Sequence, residues 1–336
     1  MNNDVINKGP IRPLLICNLA PESFSELGKS THVDQLIGRL QRLAALGFNS
    51  IDLGAQSTAP RREKIISGEE EKDRFEDMLS GVWKKAPTLL NQFKIISLDT
   101  FRIETFNQVA VNLRQKGYTG QLWFNDVSGR FHDVNEKLVL ELSSLIGPFT
   151  YICCHNRVQS REETPLHWQA PLPSNNEYGP QFDPVQEQQL FFSQALFHFQ
   201  TLGPLLGSEI TVVFDPCFGF AKGLAENEEL LLRVEELMKV LILNLKFQSN
   251  PQILWGISRK SFLRARVEAQ LENRITEDSF SIPKLNMEDL QRYSEYFHWE
   301  EIQKLKSWIQ RNNYSGLLWW RLHDENLARL FLSFCR

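Results

Sequence analysis

The feature that most constrains this chain is a recurring grammar. A short apolar, β-favouring run ends in a polar residue and gives way to a helical stripe, and this happens eight times. The clearest instance is TVVFDPCFGFAK at 211–222. Four β-formers run into Asp215-Pro216, and a Gly219-Phe220 turn follows. An unbroken apolar run closed by a proline, which cannot donate to a ladder, predicts a strand buried on both faces. Similar runs stand at 14–19 (LLICNL), 50–55, 93–100, 121–127, 151–156, 252–258 and 316–323. Between the first two, apolar residues fall at 33, 36, 37, 40, 43, 44 and 46, a helical spacing that Gly47 ends. Further helices are expected from 69 onward and over 104–116, 136–145, 186–206, 226–245 and 325–334, with helical segments through 262–312.

Alternating strands and helices call for a parallel sheet with crossover helices. Eight units favour closure, so the expected fold is α/β, a (β/α)8 TIM barrel. It would form one domain over 1–336, with a Pro- and Gln-rich loop insertion at 157–184 after strand five and an extended helical region at 265–315 between strands seven and eight. In such barrels the carboxyl ends of the strands face the active site. Those ends here carry Asn18, Asp52, Asp99, Asn125, His155, Asp215, Ser258 and His323. Chance would not sort polar residues so consistently onto one rim.

Composition narrows the function. At 336 residues and 42% hydrophobic content the chain can build a full core, which excludes global disorder. A net charge of −4, with no run of five basic residues, speaks against a nucleic-acid partner. No apolar stretch reaches membrane-spanning length, and the N-terminus lacks an apolar signal core, so no membrane association and a cytoplasmic location are expected. Of five cysteines, Cys17, Cys153, Cys154 and Cys217 fall in or just after strands, and there is no CxxC. Adjacent strand residues point to opposite faces, so Cys153 and Cys154 are poorly placed to chelate one metal. All are expected to be small core residues in a reducing compartment.

The rim groups have a shared chemistry. Asp99, Asn125 and Asp215 are short acceptor or amide groups that suit a flat heterocycle with an amidine-like donor edge. Ser258-Arg259-Lys260-Ser261 follows strand seven at an expected helix start, an anion-binding arrangement. Arg321 and His323 share a face at the end of strand eight, and Asp324 can cap the last helix. Barrels often bind phosphate on the loops after strands seven and eight. These residues alone indicate a barrel enzyme for an anionic, phosphorylated ring substrate.

Seven segments carry a resemblance to the dihydropteroate synthase family. NLAPESFS at 18–25 resembles the family's N-x-T-P-D-S-F-S loop, and IDLGAQSTAP at 51–60 resembles I-D-[IV]-G-G-E-S-T-R-P-G. SLDT, NDVSG, FDPCFGFAK, GISRKSF and RLHD follow in family order. The resemblance implies one pterin-binding barrel. It implies condensation of 6-hydroxymethyl-7,8-dihydropterin diphosphate with 4-aminobenzoate, releasing pyrophosphate, in folate biosynthesis. Asp99, Asn125, Asp215 and Lys260 would hold the pterin. Asn18 would ligate Mg2+ on the diphosphate, and Arg321 and His323 would grip its oxygens. Ser258 and Thr58 would receive the 4-aminobenzoate carboxylate. Lys260, Arg321 and His323 are the implied catalytic set, and a homodimer is the implied assembly.

The sequence departs from the family pattern at Ala20, Glu22, Glu26 and Ala59, where Arg61 and Arg62 follow closely, and at Cys217 and Ala221, which replace glycines. The alternatives are a non-catalytic or specialised pterin-binding paralogue and a pterin-dependent methyltransferase. The latter would have no need of Lys260, Arg321 and His323.

Overall fold

A computed structural model describes residues 10–19, 29–56, 65–170, 182–246, 248, 251–260, 262–263 and 287–334. The strands are β1 (Ile11–Asn18), β2 (Ser50–Gly54), β3 (Ile95–Asp99), β4 (Gln121–Asp126), β5 (Phe149–Cys154), β6 (Ile210–Asp215), β7 (Gln252–Trp255) and β8 (Leu317–Leu322). All pair in parallel, each with the next in sequence, and β1 with β8 closes the barrel. The expected (β/α)8 TIM barrel is the fold observed. Among the described residues the helices are α1 (Lys29–Ala45), α2 (Gly68–Lys85), α3 (Ile103–Gln115), α4 (Glu136–Ile146), α5 (Pro184–Gln200), α6 (Leu224–Leu232), α7 (Val234–Asn244), α8 (Met287–Asn312) and α9 (Glu325–Phe334).

Local chemistry explains several boundaries. Ser67 caps α2 by accepting from Glu70 N, with acidic residues in the first turn and Lys84 and Lys85 in the last, as the helix dipole favours. Asp183 caps α5 and Pro184 opens it. The helix expected over 186–206 stops at Gln200, because Gly203-Pro204 turns the chain into a short 3-10 segment. The single helix expected over 226–245 is two, broken at Arg233 (φ −100°, ψ 33°). Its guanidinium is drawn to Asp183 Oδ1 at 2.9 Å and Glu236 Oε2 at 2.6 Å. No helix among the described residues is long and apolar enough to cross a membrane.

The period-two alternation of each strand splits the core into two layers. Leu15, Ile51, Leu98, Phe124, Tyr151 and Phe214 pack outward in the large cluster shared with the helices. Leu14, Ile95, Trp123, Ile152, Val213 and Trp319 belong to a second cluster inside the barrel. Trp123 and Trp319 meet edge to face at 4.7 Å. That pair fills the interior below the carboxyl-terminal mouth, so the polar strand ends sit on an apolar floor.

Candidate active site at the barrel mouth

Strand register assembles the mouth. Asp99 on β3 stands beside Asn125 on β4, and Cys154 on β5 beside Asp215 on β6. Asn125 donates Nδ2 to Asp52 Oδ1 at 3.3 Å. The Cys154 thiol lies 3.7 Å from both Asn125 Oδ1 and Asp215 Oδ2. From β8, Arg321 donates Nε and Nη2 to Asp52 Oδ2 at 2.8 and 2.6 Å, and Nη2 also reaches Asp99 Oδ2. One connected polar chain therefore runs Asp99, Arg321, Asp52, Asn125, Cys154, Asp215. Asp215 Oδ1 also accepts from Cys217 N at 2.7 Å, which fixes the carboxylate plane.

The loop after β6 closes one side. Lys260 Nζ lies 4.4 Å from the centroid of the Phe220 ring. Gly219, at φ 78°, leaves room for this approach, since a Cβ there would crowd Lys260 Cδ at 3.2 Å. Lys222 donates to the carbonyls of His155, Cys217 and Phe220 at 3.0–3.1 Å, holding the loop to the end of β5. The 157–184 region contributes His167, in a short 3-10 segment over Thr164–Gln169. The imidazole stacks on Phe220 at 4.4 Å, and its Nδ1 accepts from Ala221 N at 3.0 Å.

Charge in the mouth is tightly balanced. Burial pushes the Asp99 carboxyl up to about 6, with the Asp52 charge adding to the effect and Arg321 opposing it. Burial likewise raises Asp215, against the Cys217 amide and Lys260. Burial works against the Arg321 guanidinium, but Asp52 and Asp99 outweigh it and hold the proton more firmly than usual. Lys260 is pulled below the ordinary lysine range by burial. His323 is pushed well below 6.5 by burial and by Arg259 and Arg321, so its ring is neutral at pH 7.

The structure thus gathers Asp99, Asn125, Asp215, Lys260 and Arg321 at one mouth. Arg321, expected on the diphosphate oxygens, is engaged here by two carboxylates. Ser258 and His323 form a second pair at the edge. His323 N donates to Ser258 Oγ at 3.1 Å, and that hydroxyl lies 3.1 Å from Nδ1. Asn18 stands exposed at the end of β1, opposite Gly54 on β2. Thr58 lies outside the described residues, as do Ala20, Glu22, Glu26, Ala59, Arg61 and Arg62. Cys217 and Ala221 adopt φ 54° and 50°, a backbone suited to the glycines expected there.

Asn18 has the chemistry of a single Mg2+ ligand. It offers one neutral amide oxygen at an exposed position, and among the described residues its side chain makes no hydrogen bond. One such ligand fits Mg2+ that keeps most of its waters and rides on substrate phosphates; it does not fit an all-protein cage.

Four contributors escaped the sequence reading. Asp52 was legible as a rim residue but had no assigned partner. Phe220 sat in a recognised motif. Cys154 has the sequence setting of a core residue and is buried, yet its thiol also lies between Asn125 and Asp215. His167 lay in a stretch without periodicity, so no local signal marked it.

A family model described as "Pterin binding enzyme" matches residues 15–282. The mitochondrial folate synthesis bifunctional protein of Arabidopsis thaliana is 29% identical over 261 residues, covering 77% of this chain and 42% of that protein. The chain spans less than half the length of such bifunctional relatives. The dihydropteroate synthase of Haemophilus influenzae is 24% identical over 275 residues, covering 82% of this chain and 84% of that one. Among solved structures, Xanthomonas albilineans dihydropteroate synthase with 4-aminobenzoic acid superposes with a TM-score of 0.61 at 21% identity, covering 96% of this chain and 91% of that one.

Proposed function

This chain belongs to the pterin-binding enzyme family, and on that footing we propose that it is a dihydropteroate synthase. The reaction joins 6-hydroxymethyl-7,8-dihydropterin diphosphate to 4-aminobenzoate and releases pyrophosphate. The observation that carries the proposal is the convergence of Asp99, Asn125, Asp215 and Lys260 on one mouth, over an apolar floor. Carboxylates and an amide on neighbouring strand ends match the N–H-rich edge of a flat pterin, and Lys260 supplies a donor for a ring oxygen.

In the proposed mechanism these four residues fix the ring, so that the arylamine nitrogen approaches the exocyclic methylene in line with its C–O bond. The new C–N bond forms as that C–O bond breaks, pyrophosphate departs, and the nitrogen loses a proton. A neutral arylamine is already nucleophilic and needs no strong base. Arg321 places a permanent cation under the growing charge, and neutral His323 donates a hydrogen bond from its edge position. Ser258, set against His323, and Thr58 would meet the 4-aminobenzoate carboxylate. Asn18 would hold Mg2+ on the diphosphate, and the ion would neutralise the leaving group.

The test is pyrophosphate release by the purified chain. Release should require both substrates and Mg2+. Pterin binding by calorimetry with no pyrophosphate would instead identify a non-catalytic pterin binder. The side chains of Cys217 and Ala221, at glycine-like backbone positions in the loop after Asp215, favour that second reading.

A further inference from the structure

The ring-holding chemistry does not use the sulfur atoms in the mouth. Cys154 ends β5, Asp215 ends β6 and Cys217 follows two residues later; all three are buried. Their two Sγ atoms and a carboxylate oxygen lie within 4.8 Å of one another. Cys154 Sγ stands 3.7 Å from Asp215 Oδ2. Cys217 occupies a left-handed backbone position (φ 54°) that disfavours any residue with a Cβ, yet it carries the side chain that completes the cluster.

We infer that Cys154, Asp215 and Cys217 form a binding site for a thiophilic divalent cation such as Zn2+ or Cd2+. Two sulfurs and one carboxylate oxygen suit a borderline-soft ion of tetrahedral preference and leave a fourth position for water. Hard Mg2+ would not choose this set, so the site is distinct from the one at Asn18. Two thiolates and a carboxylate around a divalent ion leave a net negative charge. Lys222, 3.0 Å from the Cys217 carbonyl, and Lys260, whose ammonium lies over the Phe220 ring of the same loop, offset it. Because Asp215 is also the proposed ring contact, a loaded ion and a bound pterin exclude one another. That exclusion rests on the function proposed above; the metal site itself does not.

The experiment strips the full chain with a chelator and titrates it with Cd2+, following the ultraviolet thiolate-to-cadmium charge-transfer band and the protons released on binding. The band should saturate at one ion per chain. It should vanish in Cys217→Gly and in Cys154→Ser, and persist in Cys335→Ser and Cys17→Ser. Cys217→Gly suits the local backbone, so a preserved unfolding transition verifies that loss of the band is not loss of the fold. Absence of a band in the unaltered chain, or its survival in Cys217→Gly, overturns the site. Calorimetry with 6-hydroxymethylpterin then tests exclusion. Saturating Cd2+ should abolish ring binding in the unaltered chain and leave it intact in Cys217→Gly, whereas undiminished ring binding in the loaded chain overturns the exclusion. The cadmium titration contains no pterin, so it stands even if the chain makes no dihydropteroate.

Discussion

Arg321 turns inward from β8 and donates Nε and Nη2 to Asp52 Oδ2, at 2.8 and 2.6 Å. The two residues are 269 apart in the chain and meet only because β8 closes against β1. The Asp52 side chain is fully buried, and the same guanidinium also serves Asp99. One cation between two carboxylates keeps their like charges together in one pocket.

Arg321→Met should therefore strand two carboxylates. The expected cost is about 3–5 kcal/mol in urea unfolding, the usual consequence of leaving buried charge unpaired. Adding Asp52→Asn should recover part of it, since contacting residues are not additive. A single-variant cost below about 1 kcal/mol would mean that the pair behaves like an exposed ion pair.

Asp215→Ala and His323→Ala should separate the two halves of the site. Asp215→Ala is expected to abolish calorimetric binding of 6-hydroxymethylpterin. His323→Ala should leave that binding within about twofold and weaken the diphosphate form by about tenfold, the value of one hydrogen bond to a charged group. Equal losses in both variants would contradict the assigned roles.

Pterin affinity should depend on pH through Asp99. The ionised carboxylate accepts the ring's N–H groups, and burial lifts its pKa from 3.8 to about 6. Affinity should thus be full above about pH 7 and decline as pH falls through 6, and Asp99→Asn should flatten that limb. The stability contribution runs the other way. The folded state holds this proton more tightly than the unfolded chain, so the contribution is fully present below pH 3.8 and lost as pH rises through 6.

Lys222 should prove to be a positioning residue. Its ammonium donates to three carbonyls across the β5 and β6 ends, and burial lowers its pKa to about 8. Lys222→Met leaves those carbonyls without their donor and should cost about 3 kcal/mol. Pterin Kd should rise while the pH dependence set by Asp99 stays in place. A purely structural lysine would lower stability and leave Kd alone.

The barrel was readable because its causes are local. Apolar runs such as 14–19 and 252–258 advertise strands through β-favouring side chains, and Gly47 and Pro216 punctuate them. Strand ends therefore named Asp99, Asn125 and Asp215 directly. The break at Arg233 was not readable, because the periodicity of 226–245 is unbroken, and its partner Asp183 stands 50 residues away on another segment.

The sequence by itself determined which residues stand on the rim, since strand length and alternation are short-range properties of neighbouring side chains. Only the tertiary structure decided who partners whom there. Arg321 selects Asp52 and Asp99, His167 reaches Phe220 from an irregular stretch, and Cys154 meets Cys217 across the β5–β6 junction. Such pairings depend on barrel closure and strand register, and no local pattern of residues records the distance between strands that the chain visits far apart.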